Sequence, residues 1–333
     1  MRAHRVPLRA TLLAIAGALG LAAPAFAHGE IMPAPVLPGV LLAWRFDVLP
    51  LAGVAIATVA YLWAVAQVTR RHRSNPPPRW RTATFLGGMA AIVVALCSPI
   101  EAYEGQLFSV HMVQHMLLEL VAAPLILLGA PMTLTLRVAS PGVRRGLLAV
   151  LHSRVVAVLT FPLLTWLAFA AVNWGWHFST LYDEALENQL LHYFQHATFL
   201  GAALLFWWPV VGVDPSPWRL PYPVKLFYLF LALPQNSFLG VSLLSAGQVL
   251  YPHYVTNLRT WGPKPLEDQQ LGGVLMWVAG DLAFLVAMAI VIVAWMRREE
   301  SRTARLDERL AAERAARGEE PWTPSVPRGQ TGR

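Results

Sequence analysis

Seven long apolar stretches constrain this chain more than any other feature. Each is about as long as the roughly 20 residues that an α-helix needs to cross a bilayer. Of the 333 residues, 56% are hydrophobic and only 14% are charged, and the mean hydropathy is +0.48. We therefore predict an all-α, polytopic membrane protein with a seven-transmembrane-helix bundle. The predicted spans are 46–68, 82–100, 106–130, 155–176, 190–212, 224–245 and 271–296.

The N-terminus has the three parts of a cleavable signal peptide. Arginines within 2–9 form a basic region, an apolar core follows over 11–23, and a small-x-small cleavage sequence occupies 25–27. Cleavage there leaves His28 as the first residue, and an uncleaved first membrane helix is the alternative. The predicted domains are a signal peptide at 1–27, an extracytoplasmic segment at 28–45, the membrane domain at 46–296 and a charged, partly disordered cytoplasmic tail at 297–333.

The arginines lie in alternate loops between the predicted spans. Five fall within 70–81, four within 137–154 and two at 297–298, whereas 101–105 and 177–189 contain no Lys or Arg. Positively charged loops stay in the cytoplasm, so this distribution predicts a mature N-terminus outside and a cytoplasmic C-terminus. The net charge of +7 then reports orientation, and we expect membrane lipid and no nucleic acid among the partners.

Two strings of the form HxxQH are the main functional signal, HMVQH at 111–115 and HYFQH at 192–196. Both lie near the outer ends of spans that run from outside to inside, and His177 follows another span at the same level. Histidines four residues apart lie about 6 Å apart on one helix face. Ionisable residues within a membrane are costly and indicate function, so we predict that these histidines bind a metal. A hydrogen-bonded histidine pair between helices is the structural alternative.

The neighbouring residues favour copper, and Cu(I) in particular. Met112 and Met116 place thioether sulfur beside imidazole, which suits a soft ion. Glu119 extends the helical stripe of the first string, and Gln114 and Gln195 are candidates for orienting the imidazoles. A free His28 would add an amino group and an imidazole. The candidate metal ligands are His111, His115, His177, His192, His196, Met112, Met116, Glu119 and His28.

Other polar residues are less specific. His253 and the stretch 266–270 are expected to form a lid or a partner surface. Asp281 lies within the last span and must be paired, protonated or in contact with water; a hydrogen bond to Asn236 is at least as favoured as a metal or proton role. The single cysteine, Cys97, excludes an internal disulfide and any CxxC metal motif.

Several separated motifs resemble one known family, the Bacillus-type CtaG family of cytochrome c oxidase assembly factors. They are FSVHMVQHMLL at 108–118, LGAP at 128–131, WHF at 176–178, the stretch 192–209, YPHY at 251–254 and EDQQLGG at 267–273. The resemblance extends over about 40–296. It implies a seven-helix protein of a bacterial plasma membrane that helps a haem-copper oxidase to mature, through delivery of copper to the catalytic subunit of cytochrome c oxidase.

Two other functions stay open at this point. A haem-binding electron carrier is possible with one haem held by a histidine from each string, although a four-residue spacing cannot serve two stacked haems. An intramembrane zinc hydrolase would use three histidines with Glu119 or Asp281 as base. We nevertheless predict no enzyme. A retinal protein is disfavoured, because Lys225 and Lys264 are the only lysines and both lie outside span seven.

Overall fold

The computed structural model describes residues 33–257 and 259–317, and its regular elements there are all helical. The predicted signal peptide, His28 and the end of the tail lie outside the described residues. Helices in the first half of the chain are α1 Gly39–Leu42, α2 Val48–Arg71, α3 Arg79–Cys97, α4 Pro99–Tyr103, α5 Phe108–Met116, α6 Ala123–Leu128, α7 Pro131–Val138 and α8 Pro141–Leu151. Those that follow are α9 Arg154–Leu159, α10 Pro162–His177, α11 Leu181–Glu187, α12 Gln189–Val211, α13 Tyr222–Leu244, α14 His253–Thr256 and α15 Pro265–Ala316.

Six helical segments of the described chain are long and apolar enough to cross a membrane. They are Val48–Arg71, Arg79–Tyr103, Phe108–Val138, Gln189–Val211, Tyr222–Leu244 and Pro265–Ala316. Large apolar side chains on them are exposed, among them Ile56, Phe227 and Ile290 at 61–70%. Such exposure fits contact with lipid, since hydrocarbon tails are as apolar as these side chains. The chain is therefore a helical membrane protein.

The predicted span 155–176 is divided in the structure. It forms α9 and α10, which are separated at Thr160 and Phe161 because Pro162 starts a new helix. A proline is well tolerated in the first turn but lacks the N–H that an uninterrupted helix requires. At 16 residues, α10 is shorter than the other six segments. The seventh span stays a prediction.

The third span contains a π-helical turn. Leu117–Ala122 has the wider winding of a π-helix and separates α5 from α6. Pro124 follows in the first turn of α6. It has no N–H to donate to the carbonyl four residues earlier, and its ring clashes with that carbonyl. The wider turn accommodates this conflict, and it also rotates the residues after Met116 relative to the face that α5 presents.

The last two spans, α13 and α15, pack closely through glycine. A Cβ added to Gly240 would lie 2.7 Å from the carbonyl oxygen of Gly273, and the reverse distance is also 2.7 Å. Small residues let helix backbones approach in this way. Asn236 and Ser237 donate to the two carboxylate oxygens of Asp281, at 2.9 and 2.6 Å. The hydrogen bond between Asp281 and Asn236, given above as the structural alternative, is thus present.

Candidate metal centre

Three helix ends meet at one end of the bundle, which we call the histidine end. The helices α5 and α12 begin there, and α10 ends there with His177. The ring centres of His111 and His192 are 5.4 Å apart, and those of His115 and His177 are 6.5 Å apart. All five intramembrane histidines are at most 7% exposed. The predicted convergence of the two HxxQH strings is therefore present.

A carboxylate from another helix fixes the start of α5. Leu107, at the N-cap position, offers no side-chain acceptor. Asp268 of α15 instead accepts from the backbone N–H of Phe108 at 2.6 Å and from the hydroxyl of Ser109 at 2.5 Å. The first N–H groups of a helix have no partner within it, so this buried carboxylate satisfies one of them. It thereby positions His111, which follows one turn later.

Three histidines form a group that we call the nitrogen trio. One ring nitrogen each from His111, His115 and His196 lies within 4.8 Å of the other two. The Nε2 atoms of His111 and His115 are 2.9 Å apart. Metal–nitrogen bonds of about 2.0–2.1 Å place two ligand nitrogens roughly 3–4 Å apart, so small side-chain adjustments would bring this trio onto one ion.

A second group, the carboxylate trio, consists of Glu104, His111 and His192. Glu104 Oε2 lies 3.3 Å from His111 Nδ1 and 3.9 Å from His192 Nε2. Glu104 follows α4 directly and is 2% exposed. Its burial, together with the nearby Glu101, raises the pKa of Glu104 well above its usual range. The group therefore combines one carboxylate with two imidazoles.

His177 and Met112 lie beside the nitrogen trio. The Nδ1 atom of His177 is 2.7 Å from the carbonyl oxygen of Asn173. A carbonyl only accepts hydrogen bonds, so Nδ1 carries the proton and Nε2 keeps a lone pair. That Nε2 is 3.4 Å from the sulfur of Met112. Met116 is half-buried and packs against the apolar cluster next to this site.

Gln114 holds His196 in one orientation. Its amide nitrogen donates to Glu101 Oε2 at 2.5 Å and to the carbonyl of Ala95 at 3.0 Å. Its amide oxygen is then the group that accepts from His196 Nε2, at 3.2 Å. This bond places the proton of His196 on Nε2 and leaves Nδ1 with the lone pair. Gln195 is also buried, but its side chain has no hydrogen-bond partner within the described chain.

The candidate ligand Glu119 is engaged elsewhere. It lies in the π-helical turn, where its side chain accepts from Asn173 at 3.0 Å and its backbone carbonyl accepts from the Trp207 indole at 2.8 Å. Glu119 belongs to neither trio. The π-helical turn explains why a stripe extrapolated from His111 and His115 at regular α-helical spacing does not continue.

Three residues at the site were not identified from sequence: Glu101, Glu104 and Tyr254. The Tyr254 hydroxyl is 3.2 Å from His111 Nδ1 and donates to the backbone oxygen of Glu104 at 3.1 Å. The available signal was the pair of glutamates three residues apart in a loop without Lys or Arg. That loop was interpreted only as evidence of orientation.

The segment around α14 covers the histidine end. Tyr251 donates to the backbone oxygen of His177 at 3.1 Å, and both Tyr251 and Tyr254 are buried. The imidazole of His253 donates through Nε2 to the carbonyl of Gly105 at 3.1 Å. The backbone N–H of His253 donates to Asp183 at 3.0 Å. These contacts hold the segment against the loop that contains Glu104.

The sequence matches the family described as "Cytochrome c oxidase caa3 assembly factor (Caa3_CtaG)" over residues 59–298. The chain belongs to this family. The match confirms the resemblance to the CtaG assembly factors, and it includes all of the histidines at the histidine end. Membership thus connects a buried cluster of imidazoles with a family of oxidase assembly factors.

Relatives of this chain occur in mycobacteria. Uncharacterized proteins of Mycobacterium bovis and Mycobacterium tuberculosis are each 32% identical to the chain over 286 residues, and one of Mycobacterium leprae is 29% identical over the same length. The matched region is 84% of this chain and 43% of each relative. The chain thus spans less than half the length of these curated relatives. No solved structure matches it.

Proposed function

We propose that the protein binds copper, as Cu(I), at the nitrogen trio and hands it to the catalytic subunit of cytochrome c oxidase. The observation that carries this proposal is that one ring nitrogen each of His111, His115 and His196 lies within 4.8 Å of the other two. Two of these residues come from one HxxQH string and the third comes from the other, so the site forms only when α5 and α12 pack together.

The donor chemistry favours Cu(I) over harder ions. The nitrogen trio supplies neutral imidazoles, and the thioether of Met112 lies next to it beside the unprotonated nitrogen of His177. Imidazole and thioether ligands suit copper, whereas Mg²⁺ and Ca²⁺ prefer oxygen ligands. Gln114 supports the assignment by presenting His196 in one tautomer, the usual role of a hydrogen-bonded neighbour to a metal ligand.

Handover at the outer face follows from the arrangement of the chain in the membrane. The arginine distribution orients the histidine end outward. The candidate ligands are concentrated at the histidine end, because both HxxQH strings lie near the starts of their predicted spans. Membership in a family of oxidase assembly factors supports an oxidase as the acceptor, and we infer that the acceptor is its copper-containing catalytic subunit. The protein is then a carrier of copper, with no reaction of its own.

Metal analysis of the detergent-purified protein tests the proposal. The wild type, the His111→Ala/His115→Ala double variant and a His152→Ala control are compared by elemental analysis, visible spectroscopy and oxidase copper content in cells. His152 is a suitable control because its ring bonds to the carbonyl of Leu148, and both residues are remote in sequence from the two strings. We expect stoichiometric copper in the wild type and the control, and its loss, with low oxidase copper, in the double variant.

The same measurement separates the alternatives. A Soret band would replace the proposal with haem binding, and zinc alone would favour a hydrolase. Absence of any metal from the wild type, after anaerobic exposure to Cu(I), would contradict metal binding and leave a scaffold in oxidase assembly as the function.

A further inference from the structure

His111 belongs to both trios, and its two ring nitrogens face different partners. Its Nε2 is 2.9 Å from His115 Nε2, and its Nδ1 is 3.3 Å from Glu104 Oε2. The two ring nitrogens of an imidazole point in divergent directions and only one of them is unprotonated at a time, so an ion bound to one nitrogen cannot also bind the other. The ring of His111 therefore lies between two separate positions for a cation.

We propose that copper occupies these two positions in succession. The outer position is formed by Glu104, His111 and His192, and the inner position by His111, His115 and His196. This inference rests on the proposed function, because it divides the copper site into an entry and exit position and a storage position. It also assigns a role to Glu104, a buried carboxylate with no ordinary hydrogen-bond partner for its Oε2 atom within the described chain.

The order of the positions follows from the helices. His192 lies one turn before His196 in the first turns of α12, a displacement of about 6 Å along the helix axis. Glu104 likewise precedes α5, whereas His115 lies two turns into it. The carboxylate trio is therefore nearer to the helix ends. An ion that enters or leaves at the histidine end meets this trio first.

The transfer between positions is a ligand exchange in which His111 stays neutral. As the bond from copper to Nδ1 breaks and the bond to Nε2 forms, water takes up the proton of Nε2 and supplies a proton to Nδ1, so the charge on His111 does not change. The Tyr254 oxygen, 3.2 Å from Nδ1, accepts that proton in a hydrogen bond, since the Tyr254 hydroxyl donates to the backbone of Glu104. In the reverse state, Nε2–H faces His115 at 2.9 Å. Copper is neither oxidised nor reduced.

The two positions predict a kinetic signature. An intermediate position speeds capture and release equally, so its loss leaves the affinity of the inner position unchanged. Glu104→Gln should therefore lower both the rate of Cu(I) capture and the rate of release to a chelator by about tenfold, a barrier change of about 1.4 kcal/mol. A ligand of the inner position behaves differently, because His196→Ala should weaken affinity.

The experiment uses the full chain in detergent under anaerobic conditions, with Cu(I) and bathocuproine disulfonate followed by stopped-flow absorbance. Asp281→Asn is the matched control, because it neutralises a carboxylate within the bundle that bonds to Asn236 and Ser237 and supplies no atom to either trio. His192→Gln repeats the test at a second residue of the outer position, and it decides the question where Glu104→Gln does not fold. We expect slowed exchange in both outer variants and wild-type exchange in the control.

Three results are distinguishable. Wild-type exchange rates in a folded outer variant would overturn the second position and leave the proposed function intact. Equal losses of affinity in Glu104→Gln and His196→Ala would also overturn it, since one merged site would then bind the ion. A wild-type protein that binds no copper would instead contradict the proposed function itself.

Discussion

The two HxxQH strings have the same pattern in sequence but different surroundings in the structure. In α5, both histidines face one another and both belong to the nitrogen trio. In α12, His192 joins the carboxylate trio, and His196 joins the nitrogen trio. A repeated motif thus supplies equivalent residues that tertiary packing distributes among different positions. Spacing within a string establishes which residues share a helix face, and neighbouring helices establish what that face meets.

The largest expected effect separates the histidines of the two strings. His115→Ala should lower Cu(I) affinity at least about 100-fold, because even residues that only orient metal ligands are worth 10–100-fold. His192→Ala should change affinity by less than about threefold, because it belongs only to the outer position. Competition titration with a Cu(I) chelator measures both. Equal losses in the two variants would contradict the different roles of the strings.

The next largest expected effect is a difference in how much the glutamines of the two strings contribute to stability. Gln114→Leu removes the hydrogen-bond partners of Glu101 and His196, and an unsatisfied buried polar group costs about 1–3 kcal/mol. Gln195→Leu should change stability by less than about 0.5 kcal/mol or increase it, because its buried amide has no partner within the described chain. Thermal unfolding in detergent compares the two isosteric variants. Comparable destabilisation would show that Gln195 is hydrogen-bonded in solution.

The third comparison concerns the stability effect of adding a Cβ to a glycine that contacts α5 and to a glycine within α12. A Cβ on Gly272 of α15 would overlap the ring of Phe108 and lie 3.2 Å from Met112 Cγ, so Gly272→Ala should destabilise the protein by about 1–3 kcal/mol. Gly201 of α12 has open space around it, and Gly201→Ala should be neutral or stabilising by under about 1 kcal/mol. Melting temperatures in one detergent measure both. A stable Gly272→Ala variant would mean that α5 and α15 separate easily.

The sequence predicted the parts of this architecture that depend on local composition. Apolar length predicted the starts of six long helical segments to within about six residues, although the third and the last extend well past their predicted ends. Helical spacing with a shared depth predicted that the histidines meet. The division at Pro162 was missed because hydropathy is insensitive to a single missing N–H. Glu119 lies in a π-helical turn, which changes the register after Met116, and it belongs to neither trio.

The contacts between segments distant in the chain could not be predicted from the sequence. Glu104 reaches His192 through the packing of the α4–α5 connection against α12, and Asp268 reaches Phe108 from 160 positions along the chain. Nothing local distinguishes these carboxylates from ordinary loop or surface residues. The imidazoles of the candidate metal centre were therefore predictable from the sequence, and its carboxylates were not.

The smallest expected effect concerns how the two strings are anchored. The helix α5 is capped by Asp268 of α15, whereas α12 is capped by its own Asn188, which accepts from the N–H groups of Leu190 and Leu191. Loss of a cap costs about 1 kcal/mol, so Asp268→Asn and Asn188→Ala should lower stability by similar, modest amounts. Unfolding in detergent measures the loss.

Copper binding should distinguish the two caps where stability does not. Asp268→Asn loosens the start of α5, which carries two residues of the nitrogen trio, and should weaken Cu(I) affinity a few-fold. Asn188→Ala loosens only the turn that holds His192, and should slow exchange with affinity retained. The opposite assignment, with weakened affinity in Asn188→Ala alone, would mean that the first turn of α12 contributes directly to the inner position.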